Sequence, residues 1–230
     1  MAVTGNRPAA ARRLAAASLG RGDPVGWFEE LYAAAGRGEA VVPWAEYIPN
    51  VHLVAWAADQ EVTGSGRRAL VIGCGLGDDA EYLARLGFAV TAFDVAPTAV
   101  AQAKSRSAGS PVEYVVADVL NPPPAWRGAY DLVVEAYTVQ VHQGDARATA
   151  IGNIVDTVAS GGTLLVVAHA RADDEKRGSM PWPLTRGEIE AFATDGLVLA
   201  RVDEVHDNMP PGRRWRAEYR RPEVVSQVRE

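Results

Sequence analysis

The stretch Ala69-Leu-Val-Ile-Gly73-Cys-Gly75-Leu-Gly77-Asp-Asp79 constrains this chain more than any other. It reads as a buried apolar strand that runs into a glycine-rich turn and then a helix. A second apolar strand, Phe88-Ala-Val-Thr-Ala-Phe93, follows and ends in Asp94, seventeen residues after Gly77. A doubly wound sheet holds an adenosine-type ligand with these parts. Glycines let the backbone approach the ligand, the helix N-terminus offers free N–H groups, and an acid at the next strand end accepts from ribose hydroxyls. The spacing is G-x-G-x-G rather than the G-x-G-x-x-G of a dinucleotide pyrophosphate site. A single nucleoside carrying a carboxylate, such as S-adenosylmethionine, fits it better.

From Arg68 onward strand and helix patterns alternate. Strands are expected near 69–72, 89–93, 112–116, 130–134 and 162–168, with helices near 77–86, 96–107 and 145–159 between them. Such alternation implies right-handed crossovers and a largely parallel sheet covered on both faces. Ser160-Gly161-Gly162 reads as the turn before the fifth strand. Thr185 and Glu188 form a possible capping box for a late helix. Leu197–His206 and Trp215–Arg221 are strand-like and joined by Pro210-Pro-Gly212, a late antiparallel hairpin that would complete seven strands. The expected fold is thus α/β: a doubly wound, seven-stranded, mostly parallel sheet of Rossmann-like type with an N-terminal helical cap.

Ahead of the core, Asp23-Pro24 opens a helix with Trp27, Phe28, Leu31 and Tyr32 at helical spacing. Pro43 marks an extended linker, and Val51–Val62 gives a second helix. Residues 1–22 carry four arginines and no acid around an alanine-rich centre too weakly apolar for a secretory signal, and read as a mobile arm or marginal lid helix. The division expected is an arm over 1–22 and one domain over 23–230, with a cap at 23–66 and a core at 67–230. The formal charge of −6 argues against nonspecific nucleic-acid binding. Arg213-Arg-Trp-Arg216 and Arg220-Arg221 read as a solvated edge strand. No apolar run nears the roughly 20 residues that span a bilayer, and one cysteine suits a reducing cytoplasm. A cytoplasmic monomer or homodimer is expected, with no nucleic-acid or membrane partner.

Gly73-Cys-Gly75-Leu-Gly77, Asp94 and Val116-Ala-Asp118 together resemble the class I S-adenosylmethionine-dependent methyltransferases, over about residues 24–221. Within that class the glycine stretch is similar to the branch of thiopurine, thiol/halide and tellurite-resistance methyltransferases. Val42-Pro-Trp44 and Gly178-Ser-Met-Pro-Trp-Pro-Leu-Thr-Arg-Gly-Glu-Ile189 support the branch. The resemblance implies S-adenosylmethionine as cofactor, S-adenosylhomocysteine as product and a small-molecule acceptor, with methyl transfer to sulfur expected first. Nitrogen or oxygen acceptors, an NAD-type oxidoreductase and a cofactor-binding homologue without turnover are the alternatives.

The resemblance also assigns positions. Gly73, Gly75 and Gly77 pass under the cofactor's amino-acid end, Asp94 meets the ribose, and Asp118 with the backbone of Val119 meets the adenine edge. Asp79 and Val95 join the same cofactor set. Glu135 opens Glu-Ala-Tyr-Thr138, where the fold faces the transferable methyl, and Tyr137 and Trp182 are candidates for the acceptor pocket. Two departures stand out: Val71 where most of the class has an acid, and Ala45 where many relatives have Asp after the Pro-Trp pair.

From the residues alone, Asp94 and Asp118 could instead cap turns. Trp27 and Trp44 could stack over the cofactor, worth on the order of 1–2 kcal/mol against a desolvated cation, or simply pack the cap. His142 and His169 fall at strand ends, where either could accept a proton. No pair of His or Cys has zinc-ligand spacing, so no metal is expected.

Overall fold

The computed structural model describes residues 7–178, 180–207 and 212–223. The Pro210-Pro211 turn expected between the last two strands lies outside the described residues. The apolar run after Arg68 is strand β1 (Arg68–Ile72), all of it buried beyond its first residue. The chain continues as α4 (Asp78–Arg85), β2 (Ala89–Asp94), α5 (Pro97–Arg106), β3 (Glu113–Val116), β4 (Tyr130–Ala136), α6 (Gly144–Thr157) and β5 (Val158–His169), each within a few residues of its expected place. Before them lie α1 (Arg7–Gly20), α2 (Gly26–Gly36) and α3 (Val51–Asp59). After them come α7 (Arg186–Glu190), β6 (Val198–His206) and β7 (Arg213–Arg220).

The strands form one seven-stranded sheet in the order β3-β2-β1-β4-β5-β7-β6. β1 to β5 pair in parallel, and β7 is antiparallel to both β5 and β6. One face packs a core of Leu70, Val133, Ile154, Leu164, Phe192 and Tyr219 under α6 and α7. The other face buries Leu53 and Trp56 of α3, Ala80 and Leu83 of α4 and Val100 of α5. A smaller cluster seats Trp27, Leu31 and Tyr32 of α2 on Leu76, Ala96 and Ala99. Among the described residues no helix is long and apolar enough to cross a membrane.

Two expectations need correction. Ser160-Gly161-Gly162 lies within β5: Tyr130 is opposite Val158 and Leu132 opposite Thr163, so four residues bulge from the ladder, with Gly161 at φ +74°. The arginine-rich end is not an edge strand, because β7 is inserted between β5 and β6 and has a partner on each side. Its Trp215, Ala217 and Tyr219 face the α7 core, while Arg214, Arg216 and Glu218 face α3, with Arg214 only 2% exposed. Residues 7–20, read as a mobile arm or a marginal lid helix, form α1, with Ala11, Ala15 and Ser18 buried. The capping box is present: the Thr185 hydroxyl accepts from the Glu188 amide and the Glu188 carboxylate from the Thr185 amide.

Candidate functional site

The strand order reverses between β1 and β4, and a cavity of about 1030 Å³ opens there at the carboxyl ends of the strands. Its base is the turn after β1. Gly73, Gly75 and Gly77 all have positive φ, at 62°, 52° and 90°. A Cβ on Gly73 would lie 2.2 Å from the Thr138 hydroxyl, and one on Gly77 2.3 Å from the Tyr114 hydroxyl. The glycines are therefore demanded by the protein's own packing before any ligand arrives. Gly73 and Gly75 line the cavity; Gly77 does not, because it faces Tyr114 and opens α4.

Asp94 ends β2 beside the turn. One carboxylate oxygen accepts from the Gly75 amide at 2.9 Å and the other from the Ala96 amide at 3.0 Å. Burial raises its pKa against the pull of these amides. Asp94 thus shapes the turn and also lines the cavity. Asp118 accepts from the Leu120 amide at 2.9 Å, an Asx turn, and lines the same cavity with Val95 and Val119. Asp79, on the first turn of α4, accepts from the Asn50 amide at 2.6 Å. Burial pushes its pKa up to about 6.

The cap supplies the aromatic wall. Trp27 is buried and stacks on Phe28 at 4.0 Å, and Trp44 meets both edge-on at 5.8 Å. The Trp44 indole N–H donates to the Tyr32 hydroxyl at 2.9 Å, which binds the linker to α2. Trp27, Phe28, Tyr32 and Trp44 all face the cavity, so the tryptophans both pack the cap and present rings to a ligand. Glu29 fastens α2 to α5 by accepting from the Thr98 amide at 2.9 Å and from its hydroxyl.

At the far end the floor is polar. Tyr137 sits at φ +65°, a strained region for a non-glycine residue, and its ring lies 5.0 Å from that of His169. The Arg214 Nε donates to the Tyr137 hydroxyl at 3.2 Å, and the same guanidinium pairs with Asp207 at 3.2 Å. Asp207 also meets His52 Nε2 at 3.0 Å. Burial and the Arg214 charge push His169 down to about 4, so its imidazole is neutral at neutral pH. Burial also lowers His142, which faces the cavity near Asp118. Buried Gln140 accepts from the His169 amide and braces this floor. Met180, Pro181 and Pro183 add to the wall from the late loop.

Of the expected site residues, Trp27, Trp44, Gly73, Gly75, Asp79, Asp94, Val95, Asp118, Val119, Tyr137 and His142 line one cavity. Glu135 does not. It belongs to the β4 face turned toward α6 and α7, where one oxygen accepts from the Thr138 and Val139 amides at 2.7 and 2.9 Å and the other is buried without a partner among the described residues. It shapes the loop after β4, and burial lifts its pKa to about 7. Trp182 does not line the cavity either; its neighbours Pro181 and Pro183 do. The reading of the residues missed Arg214, Asp207 and Gln140, which come together only through the insertion of β7 and the turn after β4.

Residues 69–162 match the family described as a methyltransferase domain. The fold is the Rossmann-like methyltransferase fold. No curated protein matches the sequence. Solved structures do. One concerns the conversion of a disulfide bond into a thioacetal group during echinomycin biosynthesis, at 21% identity and TM-score 0.69, with 87% of this chain and 94% of that chain covered. The N-methyltransferase NodS of Bradyrhizobium japonicum WM9, in complex with S-adenosyl-L-homocysteine, is 23% identical with TM-score 0.62, over 75% of this chain and 86% of that one. The 1,6-didemethyltoxoflavin-N1-methyltransferase of Burkholderia thailandensis, with 1,6-didemethyltoxoflavin and S-adenosylhomocysteine bound, is 16% identical with TM-score 0.62, over 97% and 92%.

Proposed function

We propose that this protein transfers a methyl group from S-adenosylmethionine to a small molecule, with sulfur as the acceptor atom. One observation carries the reading. A single cavity of about 1030 Å³ joins the Gly73–Asp94–Asp118 end to the Tyr137–His169–Arg214 end. Pockets for one drug-sized ligand run from roughly 300 to 1,000 Å³, so this one has room for a nucleoside cofactor and an acceptor end to end. The residues fit that cofactor: carboxylates at Asp94 and Asp118 for its hydroxyl and amino groups, aromatic rings from the cap, and a turn with no side chain at Gly73 and Gly75. The methyltransferase-domain match and the relatives crystallised with S-adenosylhomocysteine support the same assignment.

The bound cofactor supplies an activated methyl on sulfur. The chain's own work is alignment and exclusion of water, for which effective molarities of roughly 10⁵ M and above are available. An ionised thiol needs no base, which suits a floor where His169 is held neutral and Glu135 is turned away. The resemblance to the thiol and thiopurine branch favours sulfur, as does the sulfur chemistry of the echinomycin relative. A nitrogen acceptor is the second reading. Two relatives are N-methyltransferases, and the neutral imidazole of His142 faces the cavity near Asp118, where it could accept a proton.

The test is a panel of matched aromatic thiols, phenols and amines, with methylated product read by mass spectrometry after calorimetric titration of S-adenosylmethionine and S-adenosylhomocysteine. Faster turnover of thiols supports the sulfur reading. Amine turnover equal to or faster than that of ionised thiols replaces it with the second. Cofactor binding with no turnover across the panel reduces the protein to a cofactor-binding homologue.

A further inference from the structure

The cavity wall around the glycine turn is acidic. Burial, with the charges of Asp94 and Asp79, raises the Cys74 thiol, and both carboxylates line the cavity with the turn. Asp78 is engaged by Arg106 at 3.0 Å. Cations lining the cavity come from α1, the late loop and β7, none from the turn. Asp94 commits one oxygen to each of two amides. Asp79 differs: Oδ1 takes the Asn50 amide, while Oδ2 has no hydrogen bond among the described residues and belongs to a side chain that lines the cavity. A carboxylate enclosed in this way is costly to keep ionised until a cation joins it.

We propose that Asp79 binds the ammonium group of the cofactor's amino-acid end through Oδ2 while Oδ1 holds the cap at Asn50, so that one carboxylate serves both recognition and closure. This rests on the cofactor reading above. Asn50 is also the N-cap of α3, its side chain accepting from the His52 and Leu53 amides, and His52 reaches Asp207 on the acceptor floor. The groups facing Asp79 are Asp78 on its own helix with Arg106 of α5, the Cys74 thiol on the turn, and Asn50 of the cap; Glu46 lines the same cavity from the linker. No cation among them is free to replace the ammonium. Protonation of Asp79 as pH falls through about 6 then weakens the amino-acid contact alone.

The experiment titrates wild type and Asp79→Asn with S-adenosylhomocysteine and with 5′-methylthioadenosine, which keeps the nucleoside and thioether but lacks the amino-acid end. Asparagine retains an oxygen for the Asn50 amide, so the cap contact survives. The expected result is a loss of about tenfold or more for S-adenosylhomocysteine, with less than a twofold change for methylthioadenosine. In wild type, S-adenosylhomocysteine affinity rises between pH 5 and 7 while methylthioadenosine affinity stays flat, a comparison that needs no variant. Equal losses for both ligands, or an unchanged S-adenosylhomocysteine affinity, overturn the proposal. If wild type binds neither ligand, the cofactor reading itself falls and takes the proposal with it.

Discussion

Asp94 spends its charge twice, on the Gly75 and Ala96 amides and on whatever meets it in the cavity. Replacing it with alanine therefore costs more than ligand contacts. Hydrogen bonds to a charged acceptor are worth about 1.5–3 kcal/mol each. Asp94→Ala is expected to weaken S-adenosylhomocysteine binding about tenfold or more by calorimetry and to lower the melting temperature without ligand. Unchanged affinity would remove Asp94 from the site. Asp94 was legible in the sequence because it depends on local pattern, an acid at the end of the strand after a glycine turn. Arg214 was not, since its burial follows from the insertion of β7 between β5 and β6, and no local pattern carries a strand order. Glu135 falls between these cases. Its place at the end of β4 could be read, but its facing is a matter of strand parity, and parity puts it on the α6 side. Glu135→Gln is accordingly expected to keep methyl-transfer turnover within about twofold; loss of turnover at unchanged cofactor affinity would return Glu135 to the chemistry.

Among the elements, the alternating core was readable apart from the start of β5, because each strand and helix has its own period and punctuation. The cap was readable as helices but not as a wall. Trp27, Leu31 and Tyr32 seat α2 on Leu76, Ala96 and Ala99, and Glu29 ties it to Thr98. The linker that follows differs, leaving Val41, Trp44, Tyr47 and Ile48 exposed, with Trp44 fastened by its bond to Tyr32. Few buried contacts and exposed aromatics favour local opening. Cofactor-dependent closure is therefore expected in residues 37–50, with α2 already protected. Hydrogen exchange should slow over 37–50 when S-adenosylhomocysteine binds and change little over Gly26–Gly36. Trp44→Ala should weaken cofactor binding without unfolding the sheet. Slow exchange across 37–50 before ligand is added would make the linker a fixed part of the cap.

For the molecule as a whole, the buried carboxyl of Glu135 links folding to pH. One oxygen is held by two amides, the other has no partner among the described residues, and burial raises the pKa from 4.5 to about 7. A carboxyl raised in the folded state favours folding only while protonated. Its contribution is full below the unfolded value near 4.5 and is lost as pH rises through about 7. Asp79, raised to about 6, acts in the same direction. His169 acts in the opposite one: lowered to about 4, it favours the fold above its unfolded value near 6.5, and that contribution is lost as pH falls through 4. Stability should therefore peak in mildly acidic solution without cofactor. Glu135→Gln isolates one member of this set, because glutamine keeps an oxygen for the Thr138 and Val139 amides and carries no charge at any pH. The melting temperatures of variant and wild type should nearly coincide at pH 5, with the variant rising above wild type by pH 8.5. The corresponding difference in stability has an upper bound of about 3.5 kcal/mol, since a full pKa unit is worth about 1.4 kcal/mol. A difference that stays constant from pH 5 to 8.5 would mean that the carboxylate is already satisfied when ionised, and the buried oxygen would then need a partner.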